Sequence, residues 1–284
     1  SILRAMMQDK KALQAGTSHY LGQNFARAQN IRFLDQSGEL SLAHTTSWGV
    51  STRLIGGMIM THSDDDGLRI PPQIAPKQVV ILPVIPKQEM TEEVLGYARR
   101  IREELASGSF GAEPLRIHLD SRDLRGGEKN WQWIKKGAPL RIEVGPRDIA
   151  TDSLVVYRRD RNHREKLTLA RVDAPAQITK ILNEIQENYY REARDFRDAN
   201  TVDNIRTPDE FRDFFTPKNL DKPEIHGGFV QAPWSGDEEK SSELLSELKV
   251  TVRCLPLNSP GNPGGKCVVT GGNAKMTAIF AKAY

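Results

Sequence analysis

Between residues 78 and 159 the sequence alternates short branched apolar runs with longer amphipathic stretches, a rhythm that few folds accept. QVVILPV (78–84), LRIHLD (115–120), LRIEVG (140–145) and LVVYRR (154–159) have the length and composition of buried strands. A helix is expected from Thr91-Glu92-Glu93 to about Ala106, with Val94, Tyr97, Ile101 and Leu105 on one face, and a shorter one around Asn130 to Lys136. Strand and helix in alternation imply an α/β layer over a mostly parallel sheet. The longest helix is expected at 175–199, where Ile178, Ile181, Leu182, Ile185, Tyr189 and Ala193 recur at 3.6-residue spacing. It reads as the element that closes this layer, with its charges on a solvated face.

The preceding stretch is read less directly. ILRAMM and KALQAG are short apolar elements around an Asp9-Lys10-Lys11 turn, and TSHYLGQNF (17–25) reads as a polar loop leading into a short helix with Phe25 and Ala28 on one side. The strand IRFLD follows, with a turn at Gln36-Ser37-Gly38. Leu40, Leu42 and His44 alternate as a strand that runs into a Ser47-Trp48-Gly49 turn, and Thr52 to Met60 has the spacing of a helix burying Leu54, Ile55, Met58 and Ile59. Gly56 and Gly57 inside that helix cost about 1 kcal/mol each relative to alanine, which implies that a backbone or a ligand approaches closely. Arg53 stands in its first turn, where free N–H groups and the helix dipole favour phosphate. An ordinary amphipathic helix that begins with an arginine fits the same pattern. His62, Asp64, Asp65 and Asp66 read as a solvated acidic loop with no assigned metal, and PPQIAP (71–76) as a hinge suited to a domain linker.

The whole chain sets outer bounds. Its 284 residues make two or three domains the expectation, and no apolar run approaches the roughly 18 residues a membrane helix needs. The start SILRAMMQDKK has neither an initiator Met nor the plan of a signal peptide, so a piece of a longer protein is expected. A net charge of +3 is too small to establish nucleic-acid binding; the distribution is more telling. Arg122, Lys129, Lys135, Lys136, Arg141 and Arg147 surround Trp131 and Trp133, a mixture suited to phosphate contacts and base stacking on single-stranded RNA. Cys254 and Cys267 make neither a disulfide framework nor a zinc set, which points to a reducing, cytoplasmic setting. The last 85 residues hold a proline-assisted helix start, TPDEFRDFF, an acidic-capped helix, SGDEEKSSELLSELK, then VRCLPL, the loop NSPGNPGGK, CVVTGGNAK and IFAKAY.

Several of these stretches resemble one family. GVSTRLIGGMIMTHSDDDGLRIPP is similar to motif 3 of class II aminoacyl-tRNA synthetases in the form typical of prolyl-tRNA synthetases, and QAGTSHYLGQNF resembles a second signature of that family. The resemblance implies an adenine- and phosphate-binding, catalytic role for Arg53, ATP contacts for Gln14, Thr17 and Ser51, and a proline pocket made by His19, Ser47, Trp48 and Gly49. DSRD, EKNWQWIKKG and PLRIEVGPRD match the anticodon-binding domain of class II synthetases, which implies tRNA contacts for Asp120, Arg122, Lys129, Trp133, Lys136 and Arg147. Members of the family commonly have an acidic residue where Ile134 stands. The C-terminal segment resembles the extra domain of archaeal and eukaryotic-type prolyl-tRNA synthetases, found also in some bacteria, where the terminal tyrosine, here Tyr284, reaches back towards the active site. Many members bind zinc there through four cysteines; with two remaining and Thr270 in place of a third, no zinc is expected.

The implied fold is multidomain α/β and α+β. It comprises the C-terminal part of an antiparallel-sheet catalytic domain (1–74), an α/β anticodon-binding domain with its closing helix (75–199) and a small α+β C-terminal domain (200–284). The implied function is activation of proline with ATP and Mg²⁺ and its transfer to tRNA(Pro), with a homodimeric, cytoplasmic full-length enzyme and no membrane association. Motifs 1 and 2 lie upstream of the signature in the family, so this chain is expected to be inactive alone. The alternative is a non-catalytic tRNA- or RNA-binding protein derived from a synthetase. A nucleotide-binding metabolic α/β protein is disfavoured, since no G-x-G-x-x-G or G-x-x-x-x-G-K-[ST] loop follows a strand.

Overall fold

The first strands, β1 (Ile2–Met6) and β2 (Ala12–Gly22), pair antiparallel. After α1 (Asn24–Gln29) and a hairpin of β3 (Arg32–Leu34) and β4 (Leu40–Leu42), β5 (Thr45–Gly49) pairs antiparallel with β2. The sheet order is β1-β2-β5. This computed structural model describes residues 2–219, 225–257 and 263–284. Contacts divide the chain into two units, Ser1–Thr61 with Phe196–Tyr284 and His62–Asp195.

Three expectations change here. TSHYLG is strand rather than loop, and Ser47-Trp48-Gly49 ends β5 rather than forming a turn. Apolar alternation marks a strand only when one face is buried, and in this part of the sheet Ser18, His19, Tyr20, Ser47, Trp48 and Gly49 are all exposed. Helix α2 (Arg53–His62) forms close to its expected limits, yet Leu54 and Ile55 are exposed and Gly57 is its one buried residue. It meets the sheet through that glycine: a Cβ on Gly57 would lie 2.8 Å from Leu13 Cδ2, whereas one on Gly56 would meet only Met60 at 3.9 Å. One of the two glycines thus marks a close approach.

In the His62–Asp195 unit, β6 (Val79–Pro83) belongs to a sheet whose other strands are β9 (Ile117–Leu119), β10 (Leu140–Val144), β11 (Ser153–Arg158) and β12 (Leu167–Ala170), in the order β12-β11-β10-β6-β9 with β10 at its middle. A two-residue ribbon, β7 (Ser109–Phe110) with β8 (Glu113–Pro114), precedes β9. The β6–β9 and β6–β10 pairs are parallel, but β10–β11 and β11–β12 are antiparallel, so the sheet is mixed rather than mostly parallel. The 145–152 connection contains only the short α5 (Pro146–Ala150), too little chain for the crossover of a dozen or more residues that a parallel return needs.

Helices α3 (Thr91–Ala106) and α6 (Ala174–Ala199) cover one face, burying Tyr97, Ile101, Leu105, Ile178, Leu182 and Ile185 against Ile81, Ile142 and Val156. Helix α4 (Gly126–Lys135) lies on the other, where Trp133 packs with Val80, Leu82 and Ala138. Burial from both sides explains why QVVILPV is a continuous apolar run.

Two further readings are corrected. Asp64 is not merely solvated: the buried guanidinium of Arg159 pairs with it and donates from Nε to the Leu68 carbonyl at 3.0 Å. PPQIAP is clamped rather than loose, because Arg116 donates to the carbonyls of Pro72, Gln73 and Ala75 and Gln78 donates to that of Pro72.

The C-terminal segment adds β13 (Thr201–Val202), α7 (Pro208–Phe215), β14 (Phe229–Trp234), α8 (Glu238–Glu247), β15 (Val250–Cys254) and β16 (Met276–Lys282), with sheet order β13-β14-β16-β15. Both helix starts behave as their sequences imply: Thr207 and Glu210 form a reciprocal capping box, and Asp237 accepts the Lys240 N–H at 3.0 Å. Phe211, Phe215, Trp234 and Phe280 make the core. Part of the loop NSPGNPGGK falls at 258–262, outside the described residues. Among the described residues no helix is long and apolar enough to cross a membrane.

Candidate functional site

The residues of the two polar signatures converge on one side of the first sheet. In the β2–β5 pairing Thr17 faces Gly49 and His19 faces Ser47, and directly opposed residues share a face. Gln14 is three residues from Thr17 and would ordinarily point the other way. A bulge leaves Ala15 unpaired, so that Gln14 opposes Arg4 while Thr17 opposes Ile2. Arg4 and Ile2 lie two residues apart on β1, so the bulge turns Gln14 back onto the face of Thr17. Arg4 confirms the side by donating to Gln14 Oε1 at 3.2 Å. Gln14, Thr17, His19, Ser47 and Gly49 therefore form one polar surface.

Trp48 is not part of it. It opposes Ser18 on the reverse face and is 77% exposed. Ser51 and Arg53 follow β5 directly: the Ser51 hydroxyl accepts the Arg53 N–H at 3.3 Å, and its carbonyl accepts from Leu54. Arg53 is exposed at the first residue of α2, the place where an anionic group gains from helix N–H groups and dipole. At the far end of β2, the Tyr284 N–H donates to the Ala12 carbonyl at 3.3 Å.

The anticodon-type residues separate into framework and surface. Asp120, at the carboxyl end of β9, is 1% exposed and accepts from Arg122 Nε at 2.8 Å, Arg122 Nη2 at 2.6 Å and Trp133 Nε1 at 2.7 Å. The Arg122 guanidinium, helped by Trp133 and opposed by burial, holds the Asp120 carboxyl far below the usual carboxylate range. Lys129 is also buried, donating to the carbonyls of Asp120 and Arg122. Trp133 is 5% exposed, so it supports the helix rather than offering a face to solvent. The exposed tryptophan is Trp131, 42% open and 5.1 Å from the His163 ring. Two positions along a helix is more than half a turn, which sends one indole in and the other out.

Arg122, Lys136 and Arg147 remain exposed. Strands β6, β9 and β10 run in parallel, with Leu140 beside Val79 and Val144 beside Pro83. Arg122 and Arg147 follow the carboxyl ends of β9 and β10, the edge at which open α/β sheets bind ligands. Lys136 precedes β10, and its ammonium lies 4.7 Å from the Trp133 ring, whose Nε1 donates to the Asp120 carboxylate that also holds Arg122.

Arg141 is the most telling residue that family matching did not select. It is 0% exposed and none of its three guanidinium nitrogens has a hydrogen-bond partner among the described residues. Burial, and then Arg159, lowers its pKa to about 10. Alternation in LRIEV sends Leu140, Ile142 and Val144 into the core and Arg141 with Glu143 to the α4 side, where Arg141 lies 5.6 Å from the Tyr157 ring. A charge in the middle of an apolar strand was the signal available in the sequence. A buried cation without an acceptor is costly, and an incoming hydrogen-bond acceptor would relieve it.

Among the described residues no three His, Cys, Asp or Glu side chains converge on a point that could hold a metal. Cys267 is fully buried. Burial alone would raise its pKa, but hydrogen bonds from Thr270, Val269 and Ser235 outweigh it and hold the thiol below its usual value.

Comparison with known proteins adds to this geometry. Residues 78–181 match the family model described as anticodon binding domain, and residues 222–284 match that described as prolyl-tRNA synthetase, C-terminal. The proline--tRNA ligase of Protochlamydia amoebophila is 55% identical over 282 residues, covering 99% of this chain and 55% of that protein. Proline--tRNA ligase 2 of Anaeromyxobacter dehalogenans is 50% identical over 286 residues, with coverage of 99% and 56%, and the proline--tRNA ligase of Rhodopirellula baltica is 48% identical over 282 residues, with 99% and 54%. The chain spans about half the length of the curated relatives it matches. It carries an anticodon-binding domain followed by a prolyl-tRNA synthetase C-terminal domain.

Proposed function

We propose that this chain is the C-terminal part of a proline–tRNA ligase of the type with an extra C-terminal domain, divided at 1–74, 75–199 and 200–284, and that it supplies one wall of the prolyl-adenylate site together with the tRNA-binding surface. The observation that carries the reading is the bulge at Ala15, which aligns Gln14 with Thr17 and His19 opposite Ser47 and Gly49 on one open sheet face, with Arg53 beyond β5.

In this proposal the proline carboxylate attacks the α-phosphate of ATP, pyrophosphate leaves, and a terminal ribose hydroxyl of tRNA(Pro) then takes the prolyl group and releases AMP. Gln14, Thr17, Ser51 and Arg53 hold the nucleotide, Arg53 opposing phosphate charge from the helix start. His19, Ser47 and Gly49 enclose proline, while Trp48 acts only from the reverse face. On the α/β unit, Arg122, Lys136, Arg147 and the exposed Trp131 meet the tRNA, and the buried Asp120, Lys129 and Trp133 hold that surface in place. Magnesium, when bound, would neutralise phosphate charge. The assembled enzyme is proposed to be a cytoplasmic homodimer, with no zinc in its C-terminal domain.

Replacing Arg53 by alanine in the full-length parent tests the reading. Loss of proline-dependent ATP–pyrophosphate exchange with unchanged tRNA(Pro) binding is expected, and equal loss of both would refute the role.

A further inference from the structure

Arg4, on β1, donates from Nη1 to Gln14 Oε1 at 3.2 Å and from Nε to the Arg253 carbonyl of β15 at 3.3 Å. Both acceptors are neutral, and among the described residues no carboxylate pairs with this guanidinium. Arg253 is tied in turn to β16, its Nε donating to the Ala281 carbonyl at 3.3 Å, while its Nη2 is buried with no partner among the described residues. Burial first, and then the charge of Arg4, lowers the Arg253 pKa. Neutral oxygens alone therefore hold Arg4 where β1 meets β15. The seat is firm: Met6 and Ala12 of the first two strands share a buried cluster with Phe229 and Ala281 of the C-terminal segment, and Ala283 bridges to Ala12. A guanidinium has donors and no acceptor. The oxygen of the Gln14 amide must face it, which leaves Nε2 and its two N–H groups on the other prong. No acceptor among the described residues takes those N–H groups, and Gln14 is half-buried.

We infer that Arg4 is a positioning residue for the nucleotide: it turns the Gln14 amide so that Nε2 is offered as a hydrogen-bond donor to an oxygen of ATP, and the C-terminal segment, through the Arg253 carbonyl, holds Arg4 where it can do so. The inference rests on the ATP-binding reading of Gln14 and deepens it by naming the atom that makes the contact. The bulge at Ala15 and Arg4 divide the work. The bulge sets the face on which the Gln14 side chain stands, and Arg4 sets which end of its amide faces outwards. A hydrogen bond from an ionised donor is roughly twice as strong as one between neutral groups, so the preference survives in a side chain partly open to water. Without Arg4 the amide can turn over and present oxygen to oxygen, two acceptors that cannot bond.

The test measures proline-dependent ATP–pyrophosphate exchange in the full-length parent, with separate KM values for ATP and proline and melting temperature as a check on folding. Arg4→Met should raise KM for ATP about tenfold, the order expected when a hydrogen bond to a charged group is lost, with KM for proline and the melting temperature unchanged. Arg4→Lys keeps a donor and should recover most of that loss; Arg4→Gln, which cannot fix the direction of the amide, replaces Arg4→Met should the latter fail to fold. In the Arg4→Met/Gln14→Ala double variant KM for ATP should equal that of Gln14→Ala alone, because Arg4 then has nothing to orient. Gln14→Glu keeps the bond from Arg4 but offers an oxygen outwards, and should bind ATP no better than Gln14→Ala. An effect of Arg4→Met that is the same with and without Gln14 overturns the inference. So does a parent-like KM for ATP in Arg4→Met or Gln14→Glu while Gln14→Ala raises it, and in that case the ATP reading of Gln14 stands. A parent-like KM for ATP in Gln14→Ala takes down that underlying reading instead.

Discussion

The α/β unit and the opening sheet put similar apolar side chains to opposite uses. In the former, Ile142, Val156, Ile101 and Ile185 are sealed between α3, α6 and the strands; in the latter, Leu3, Tyr20, Trp48, Val50 and Ile55 face solvent, while Met6, Met7, Ala12 and Leu13 are buried. The difference teaches that one region is a self-sufficient core that presents a surface, while the other is an open wall that presents side chains.

Mutations can break the comparison. The largest effect is expected from Arg53→Ala in the full-length parent, with exchange activity falling about 10²–10³-fold as a charge-stabilising donor is removed and the melting temperature unchanged. Next, Trp133→Ala should cost about 3–5 kcal/mol of stability as a buried aromatic is removed. Trp131→Ala should leave stability alone and weaken RNA binding by about 1–3 kcal/mol if a base stacks on it. Chemical denaturation and tRNA titration separate the two, and interchanged results would invert the framework and surface assignments.

Ile185→Ala in the sealed core should cost about 2–5 kcal/mol, whereas Ile55→Ala on α2 should stay within about 0.5 kcal/mol; equal losses would mean that the opening sheet is closed in solution.

A pH series sharpens the framework claim. Asp120 has a folded pKa depressed below its unfolded value of about 3.9, so its contribution is fully present above that value and fades as pH falls towards the folded one. Asp120→Asn should therefore melt lower than the parent at pH 7, and the gap should narrow below pH 4. A gap that does not change with pH would remove the charge from the explanation. The smallest effect is expected at Arg212–Glu247, an exposed ion pair on the C-terminal helices, where Glu247→Gln should move stability by less than about 1 kcal/mol.

The same contrast explains what the sequence disclosed. Strands β6 and β10 were legible because burial on both faces demands branched apolar runs, and α3 and α6 because their stripes face one core. The strand character of TSHYLG was hidden because its side chains are kept polar on an open face, which erases the alternation that identifies a strand. The mixed sheet followed from a short connection that carried little sequence signal. Which of Trp131 and Trp133 turned inward depended on the carboxylate of Asp120, thirteen residues away from Trp133 and brought beside it by β9. Resemblance grouped Gln14, Thr17 and His19, and strand pairing sets the three on one face. What aligns them, the unpaired Ala15, is a feature of pairing between strands and appears in no local pattern.

The central claim is that this chain holds one wall of an adenylate-forming site on a surface able to bind tRNA by itself. It is tested most directly by measuring proline-dependent ATP–pyrophosphate exchange with this chain alone, beside the full-length parent at equal concentration. Exchange at background for the chain and robust for the parent is the predicted result. Exchange at a rate comparable to the parent's would contradict the account, because the wall would then be a complete site.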